Sequence, residues 1–138
     1  RLALSIMKNQ QDAEDVVSDA IITAFEHRNS LRDPSKFKSW IMTIVANNAK
    51  TALRKKKREE LTDTFDDLSQ SMVSREGSGT EVWDAVMKMK EKYSKVIVLY
   101  YYFGFSTKEI GKMLRITQGA VKTRLDRARE SLKKDLMV

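Results

Sequence analysis

The sequence has no cysteine, one histidine (His27), one proline (Pro34) and only five glycines in 138 residues. The missing thiols exclude disulfides, thiolate zinc sites and cysteine nucleophiles, and they fit a reducing cytosol. A single imidazole excludes metal sites built on several histidines, and any Ser-His-Asp array that does not use His27. No apolar run approaches the ~20 residues that span a bilayer. No secretory signal is visible either, because the opening stretch RLALSIMKNQQDAEDVV turns acidic at once. Strand-rich folds need many turns, so scarce breakers favour long helices. Arg1 is not an initiating methionine and leads straight into a helical pattern, which reads as truncation or processing at the N-terminus.

Charge is what the chain has in abundance. Charged residues make up 33% and apolar ones 41%, with 26 Lys and Arg against 19 Asp and Glu, a net +7. The distribution is uneven. Residues 1–58 carry 12 basic and 6 acidic side chains, residues 59–80 carry 1 and 6, and residues 81–138 carry 13 and 7. The middle block, EELTDTFDDLSQSMVSREGSGT, lacks a sustained apolar stripe and reads as a linker between two small helical domains. Two basic modules on an acidic tether point to a polyanionic partner. Charge alone does not separate nucleic acid from anionic lipid. A lipid binder needs an exposed apolar face beside the basic one, however, and the apolar faces here read as core.

In the first module, Ala13, Val16, Val17, Ala20, Ile21, Ala24 and Phe25 fall on one stripe of an amphipathic helix. Asp12 reads as its N-cap, with Asp15 three residues on. Glu14, Asp15, Ser18, Asp19 and Glu26 form an acidic outer face, a candidate protein-docking surface. Pro34 disfavours helix at Asp33 and suits an early position in the next helix. That helix carries Phe37, Trp40, Ile41, Ile44, Val45, Ala49, Ala52 and Leu53. Asn47 and Asn48 are poor helix formers in its middle, so they either satisfy backbone locally or face donors and acceptors like those of bases. The helix ends in five consecutive cations, Arg54 to Arg58, a polyanion-attracting end.

The second module holds Val82, Trp83, Val86, Met87 and the run Val96 to Phe103. By propensity that run could be a strand, but no partner strand is evident, so it reads as buried helix. Gly104 suits a helix C-cap. Ser106 and Glu109 form a capping box. It opens a short helix with Ile110, Met113 and Leu114 inside and Gly111 at a close approach. Arg115 and Ile116 form the turn, and Thr117 caps a helix that buries Val121, Leu125, Ala128, Leu132 and Leu136. Short helix, tight turn and basic second helix make a helix-turn-helix, which can place the second helix in a major groove. One histidine, no cysteine and no glycine-rich phosphate loop argue against an enzyme.

Taken together, DAEDVVSDAIITAF, SLRDPSKFKSWIMTIVANNAKTALRKKKR and EKYSKVIVLYYYFGFSTKEIGKMLRITQGAVKTRLDRARESLKK resemble bacterial RNA polymerase sigma factors of the extracytoplasmic-function group. The resemblance implies an all-α protein of two domains, residues 1–58 and 81–138, joined by a flexible linker over 59–80. It implies binding rather than chemistry, with no cofactor, no metal and no small-molecule substrate. The partners it implies are the β′ clamp helices and β flap of core polymerase, promoter DNA and an anti-sigma factor. The location it implies is the cytoplasm, with the anti-sigma factor able to hold the chain at the membrane. Asp15, Ser18, Asp19 and Ile22 would dock on polymerase. Leu31, Arg32, Asp33, Ser35, Lys36 and Phe37 would hold a flipped −10 base. Asn47 and Lys50 would contact that strand, with Arg54, Lys55 and the rest of the basic run on its phosphates, while Trp40 packs the core. Gln118, Lys122, Thr123, Arg124, Asp126 and Arg127 would face the −35 element. The acidic linker would thread the RNA exit path. The chain departs from the family at Lys90, where proline is common, at Arg115, where a turn glycine is usual, and at Asp126, where larger residues are frequent. The alternative is a stand-alone helix-turn-helix regulator, since the second motif is shared with such proteins.

Overall fold

A computed structural model describes residues 1–62 and 81–136, and all regular structure among them is helical. The first helix, α1 (Leu2–Met7), is apolar on every side, and Leu2, Ala3, Ser5, Ile6 and Met7 are buried. Its one polar side chain is satisfied locally, as Ser5 Oγ donates to the Leu2 carbonyl at 2.7 Å. Lys8 closes α1 in the left-handed region at φ 62°, with its N–H bonded to the Leu4 carbonyl. Helix α2 (Gln10–Glu26) is capped by Asn9, whose side chain accepts from the Asp12 N–H at 3.0 Å. This corrects the expectation that Asp12 is the cap. Asn9 has the extended backbone a cap requires, and Asp12 lies inside the first turn, where its carboxylate pairs with Lys56 Nζ at 2.7 Å.

Two 3₁₀ turns, Arg28–Ser30 and Pro34–Lys36, lead into α3 (Phe37–Thr62). Pro34 opens the second turn rather than α3 itself. Helix α3 runs through residue 62, so residues 59–62, expected in the linker, are helical. The remaining linker residues, 63–80, lie outside the described residues.

Helix α4 (Glu81–Lys88) and α5 (Glu91–Ile97) are joined at Lys90, whose φ of −60° and ψ of 147° suit a proline equally well. The apolar run continues α5 into a wide π turn, Val98–Tyr102, closed by the Phe103 N–H on the Val98 carbonyl at 3.1 Å. The run is therefore helical as expected, but Tyr101 is 56% exposed. Gly104, at φ 75°, reverses the chain into α6 (Thr107–Leu114), and α7 (Gln118–Leu136) follows. Ser106 and Glu109 make both bonds of the capping box, and Thr117 Oγ1 accepts from the Ala120 N–H at 3.0 Å.

The stripe on α2 is wider than the face the fold uses. Ala13, Val16 and Ala20 are buried, but Val17, Ile21 and Phe25 are 42%, 62% and 67% exposed. The reason is directional: α1 and α3 pack on one side of α2 only. Phe37, Val82 and Leu136 are likewise exposed rather than core. The two modules pack together. Helix α1 touches α5 and the π turn, α3 touches α6, and buried residues from both modules form one apolar cluster.

Candidate functional site

The connector between α2 and α3 is shaped by Asp33. Its carboxylate accepts from the Ser35 N–H at 3.0 Å and from Ser35 Oγ at 2.8 Å, which holds it below the usual carboxylate range. Ser30 Oγ accepts from the Trp40 indole N–H at 3.0 Å, pinning the other side of the loop to α3. Between them lies a cleft of about 690 Å³, lined by Leu31, Arg32, Asp33, Lys36, Trp40 and Thr43 among others. Trp40 is half-buried and lines this cleft, with the Phe37 ring 6.0 Å away. It is thus a wall of the candidate site as well as a packing residue, and sequence reasoning gave it only the second role. Ser39 and Thr43 also line the cleft and were missed. The available signal was their spacing, one and two turns before Asn47 on the same side of α3.

By helical spacing Asn47, Lys50 and Arg54 continue that line away from the cleft. Lys50, Arg54 and Lys55 are exposed, and Asn47 is half-buried. Asn48 is turned elsewhere, donating from Nδ2 to Thr23 Oγ1 at 3.3 Å. This separates the two mid-helix amides: Asn48 ties α3 to α2, while Asn47 lies on the line that leads to the cleft. Lys55 faces another way, into a groove of about 800 Å³ between α2 and α3.

That groove also takes Asp15, Asp19 and Ile22, so three of the four candidate docking residues share one concave, acid-rimmed surface. Ser18 lines a separate hollow with Glu14 and Val17. Ile22 and the neighbouring Ile21 and Phe25 are exposed, giving the acidic surface an apolar border.

In the second module the outer face of α7 presents Gln118, Lys122, Thr123, Asp126 and Arg127, all exposed. Arg124 is half-buried on the flank of the core-facing stripe and stands apart from them. Gln118 Nε2 donates to Thr107 Oγ1 at 2.9 Å, tying the start of α7 to α6. The Arg127 guanidinium near the Tyr93 hydroxyl lowers that phenol from its ordinary range. Arg129 was not among the expected site residues. It donates from Nε to the Tyr101 hydroxyl at 2.7 Å and from Nη1 to Asp126 Oδ1 at 3.1 Å. Tyr101 of the π turn thus braces Arg129 on the exposed helix.

Among the described residues no group of three or more His, Cys, Asp or Glu side chains could hold a metal ion, and no helix is long and apolar enough to cross a membrane.

Comparison with known proteins identifies the family. Residues 1–59 match the Sigma-70 region 2 family and residues 80–132 match Sigma-70, region 4. The ECF RNA polymerase sigma factor SigW of Bacillus subtilis (strain 168) is 32% identical over 153 residues, covering 99% of this chain and 81% of SigW. The RNA polymerase sigma factor SigV of the same organism is also 32% identical, covering 93% of this chain and 78% of SigV. Among solved structures, the sigma factor RpoE in complex with the anti-sigma factor NepR from Bartonella quintana is similar. Its TM-score is 0.85 at 25% identity, over 99% of this chain and 88% of RpoE. CnrH in complex with the cytosolic domain of CnrY gives a TM-score of 0.63 at 27% identity, over 99% of this chain and 78% of CnrH. Both regions in this order, with relatives aligned over nearly the whole chain, establish that the protein belongs to the extracytoplasmic-function group of RNA polymerase sigma factors.

Proposed function

We propose that this alternative sigma factor divides its work between the cleft beside α3 and the exposed face of α7. The cleft walled by Trp40, Leu31 and Asp33 takes an extruded base of the −10 non-template strand. Asn47, Lys50 and Arg54 follow that strand along α3, and the other cations of the basic run neutralise phosphates. Melting costs a few kcal/mol per base, and a pocket plus aromatic contact supplies energy of that order. The single observation that carries this reading is the cleft, because it adjoins the line of Asn47, Lys50 and Arg54.

Asp15, Asp19 and Ile22 dock on the β′ clamp helices of core polymerase, with Ser18 at the edge of that contact. The supporting feature is their groove, where carboxylates and an exposed isoleucine lie together. Gln118, Lys122, Thr123, Asp126 and Arg127 read the −35 element, with Arg124 at its margin, while the second module engages the β flap. An anti-sigma factor restrains the protein in the cytoplasm and can hold it at the membrane. The complexes of RpoE with NepR and of CnrH with CnrY support such a partner. The proposed domains remain residues 1–58 and 81–138.

Gel filtration with purified bacterial core polymerase tests the reading. Co-elution is expected, and Asp15→Lys with Asp19→Lys should abolish it while leaving helicity intact. Tight binding to duplex DNA without any polymerase complex would return the chain to a stand-alone regulator.

A further inference from the structure

A carboxylate on a helix that meets DNA carries a cost, because like charges repel and the groove is bordered by phosphates. Asp126 stands on the exposed face of α7 with its side chain 73% open to solvent. Its Oδ1 is nevertheless held, by Arg129 Nη1 at 3.1 Å. Exposed ion pairs between long side chains are ordinarily weak, because entropy is lost in holding one geometry. This pair differs, since Arg129 has a second anchor. Its Nε donates to the Tyr101 hydroxyl at 2.7 Å. Its guanidinium lies 5.6 Å from the centre of the Tyr101 ring and 5.8 Å from that of Tyr100. The two rings stand edge to face, 4.9 Å apart. Tyr101 belongs to the π turn and not to α7, so the anchor comes from a separate element.

The anchor decides which atom of Asp126 remains for a partner. A guanidinium is a rigid fork, so fixing Nε and the plane of the group also fixes Nη1. Oδ1 follows it, and Oδ2 has no partner among the described residues. A carboxylate only accepts hydrogen bonds. The donors in a major groove are cytosine N4 and adenine N6. Adenine sets its N7 acceptor beside N6, which repels a carboxylate. Cytosine carries a donor and no acceptor on that edge.

We propose that Tyr101 and Arg129 are positioning residues that make Asp126 a reader of cytosine at one position of the −35 element. The inference rests on the −35 reading above and goes beyond it by naming the base and the two residues that fix the choice. Neither of the two needs to touch that base. Arg129 aims the carboxylate and offsets part of its charge, which lets an acid stand among phosphates. Tyr101 holds Arg129 in the orientation that does so.

The probe is a pool of DNA duplexes with one helical turn, roughly 10 base pairs, randomised. The binder is the full chain in complex with bacterial core polymerase. Sequencing of the bound fraction should show one position enriched in cytosine, and Asp126→Ala should remove that enrichment. Asp126→Asn should move the same position towards adenine, because an amide pairs with N6 and N7. Tyr101→Phe keeps the ring and every charge and removes only the hydroxyl. On the selected duplex and its single-base variants at that position, the parent should favour cytosine about tenfold. Tyr101→Phe should cut this to about threefold with the salt slope unchanged. Enrichment that Asp126→Ala leaves intact at every position overturns the base contact. A position that responds to Asp126→Ala but prefers another base overturns the choice of cytosine. A cytosine preference that survives both Tyr101→Phe and Arg129→Lys in full overturns the positioning role. Affinity lost equally for all the duplexes in Tyr101→Phe marks a merely structural tyrosine and overturns it too. A pool with no enriched position fails the −35 reading itself, a result distinct from all the others.

Discussion

The backbone N–H groups of Arg115 and Ile116 both donate to one acceptor, the carbonyl of Gly111. The turn of the helix-turn-helix depends on this convergence. Arg115 takes the left-handed conformation at φ 59°, and a Cβ on Gly111 would stand 2.9 Å from the Ile116 carbonyl oxygen. Gly111→Ala should therefore destabilise by about 1–3 kcal/mol despite its better helix propensity, because a backbone atom must move. Arg115→Gly should stabilise by about 0.5–1 kcal/mol, as strain of ~1–2 kcal/mol is relieved against the entropy of a freer unfolded chain. Chemical denaturation of the two variants measures both signs.

Lys8 gives a pH signature. Its folded value, about 8, lies below the ordinary 10.5. Between these two values the unfolded chain binds the extra proton, so the Lys8 contribution to stability rises as pH climbs from about 8 towards 10.5. Below about pH 8 the full cost of burying the ammonium is present. The Tyr93 phenol is also held below its ordinary value, by Arg127 first, and adds its own alkaline dependence. The readout is therefore the difference between the parent and Lys8→Met. The parent should gain stability over the variant across that range, by thermal denaturation at fixed salt.

Glu109 works in the opposite range. Its bond from the Ser106 N–H holds the carboxyl below its ordinary 4.5. The stabilisation is complete above that ordinary value and is lost as pH falls through the lower folded one. Glu109→Gln keeps an acceptor but not the charge, so it should flatten the acid limb of the stability curve. Ser106→Ala removes the reciprocal half of the cap and should cost about 1 kcal/mol at neutral pH.

Lys122 and Asp126 share the exposed face of α7 but should act differently on DNA. If Lys122 neutralises one phosphate, Lys122→Ala reduces the salt slope of duplex binding by about 0.9. Asp126 repels phosphate and is partly offset by Arg129 at 3.1 Å. Arg129→Ala should therefore weaken duplex binding by more than one lost phosphate contact. Salt titrations by fluorescence anisotropy separate the two variants.

The helix-turn-helix was legible in the sequence because its signals are local. Gly104, Ser106 with Glu109, Gly111 and Thr117 each act within a few residues, and each does what its chemistry implies, while Arg115 fills the left-handed turn position against its own preference. The cap of α2 was misread because Asn9 and Asp12 both have capping chemistry, and only backbone direction chooses between them. Val17, Ile21 and Phe25 were misread for another reason: periodicity shows that a face is apolar, not that a neighbour covers it. The helical pattern after Arg1 was legible, but not which side of α1 would be covered, since LALSIM is apolar on every side. Lys8 and Ser94 meet across 86 positions, and nothing local announces such a pair. The double role of Trp40 is also tertiary, because a cleft exists only once two elements enclose it.

Helix α1 also sets an order of events during synthesis. Its partners in α2 and α3 follow closely in the chain, but Ser94, which bonds the Ser5 carbonyl, comes 89 positions later. A ribosome adding about 5–20 residues per second takes roughly 5–20 seconds to cover that interval. Through that time one flank of α1 has no α5 to cover it. The nascent first module is therefore the species most exposed to chaperones and proteases.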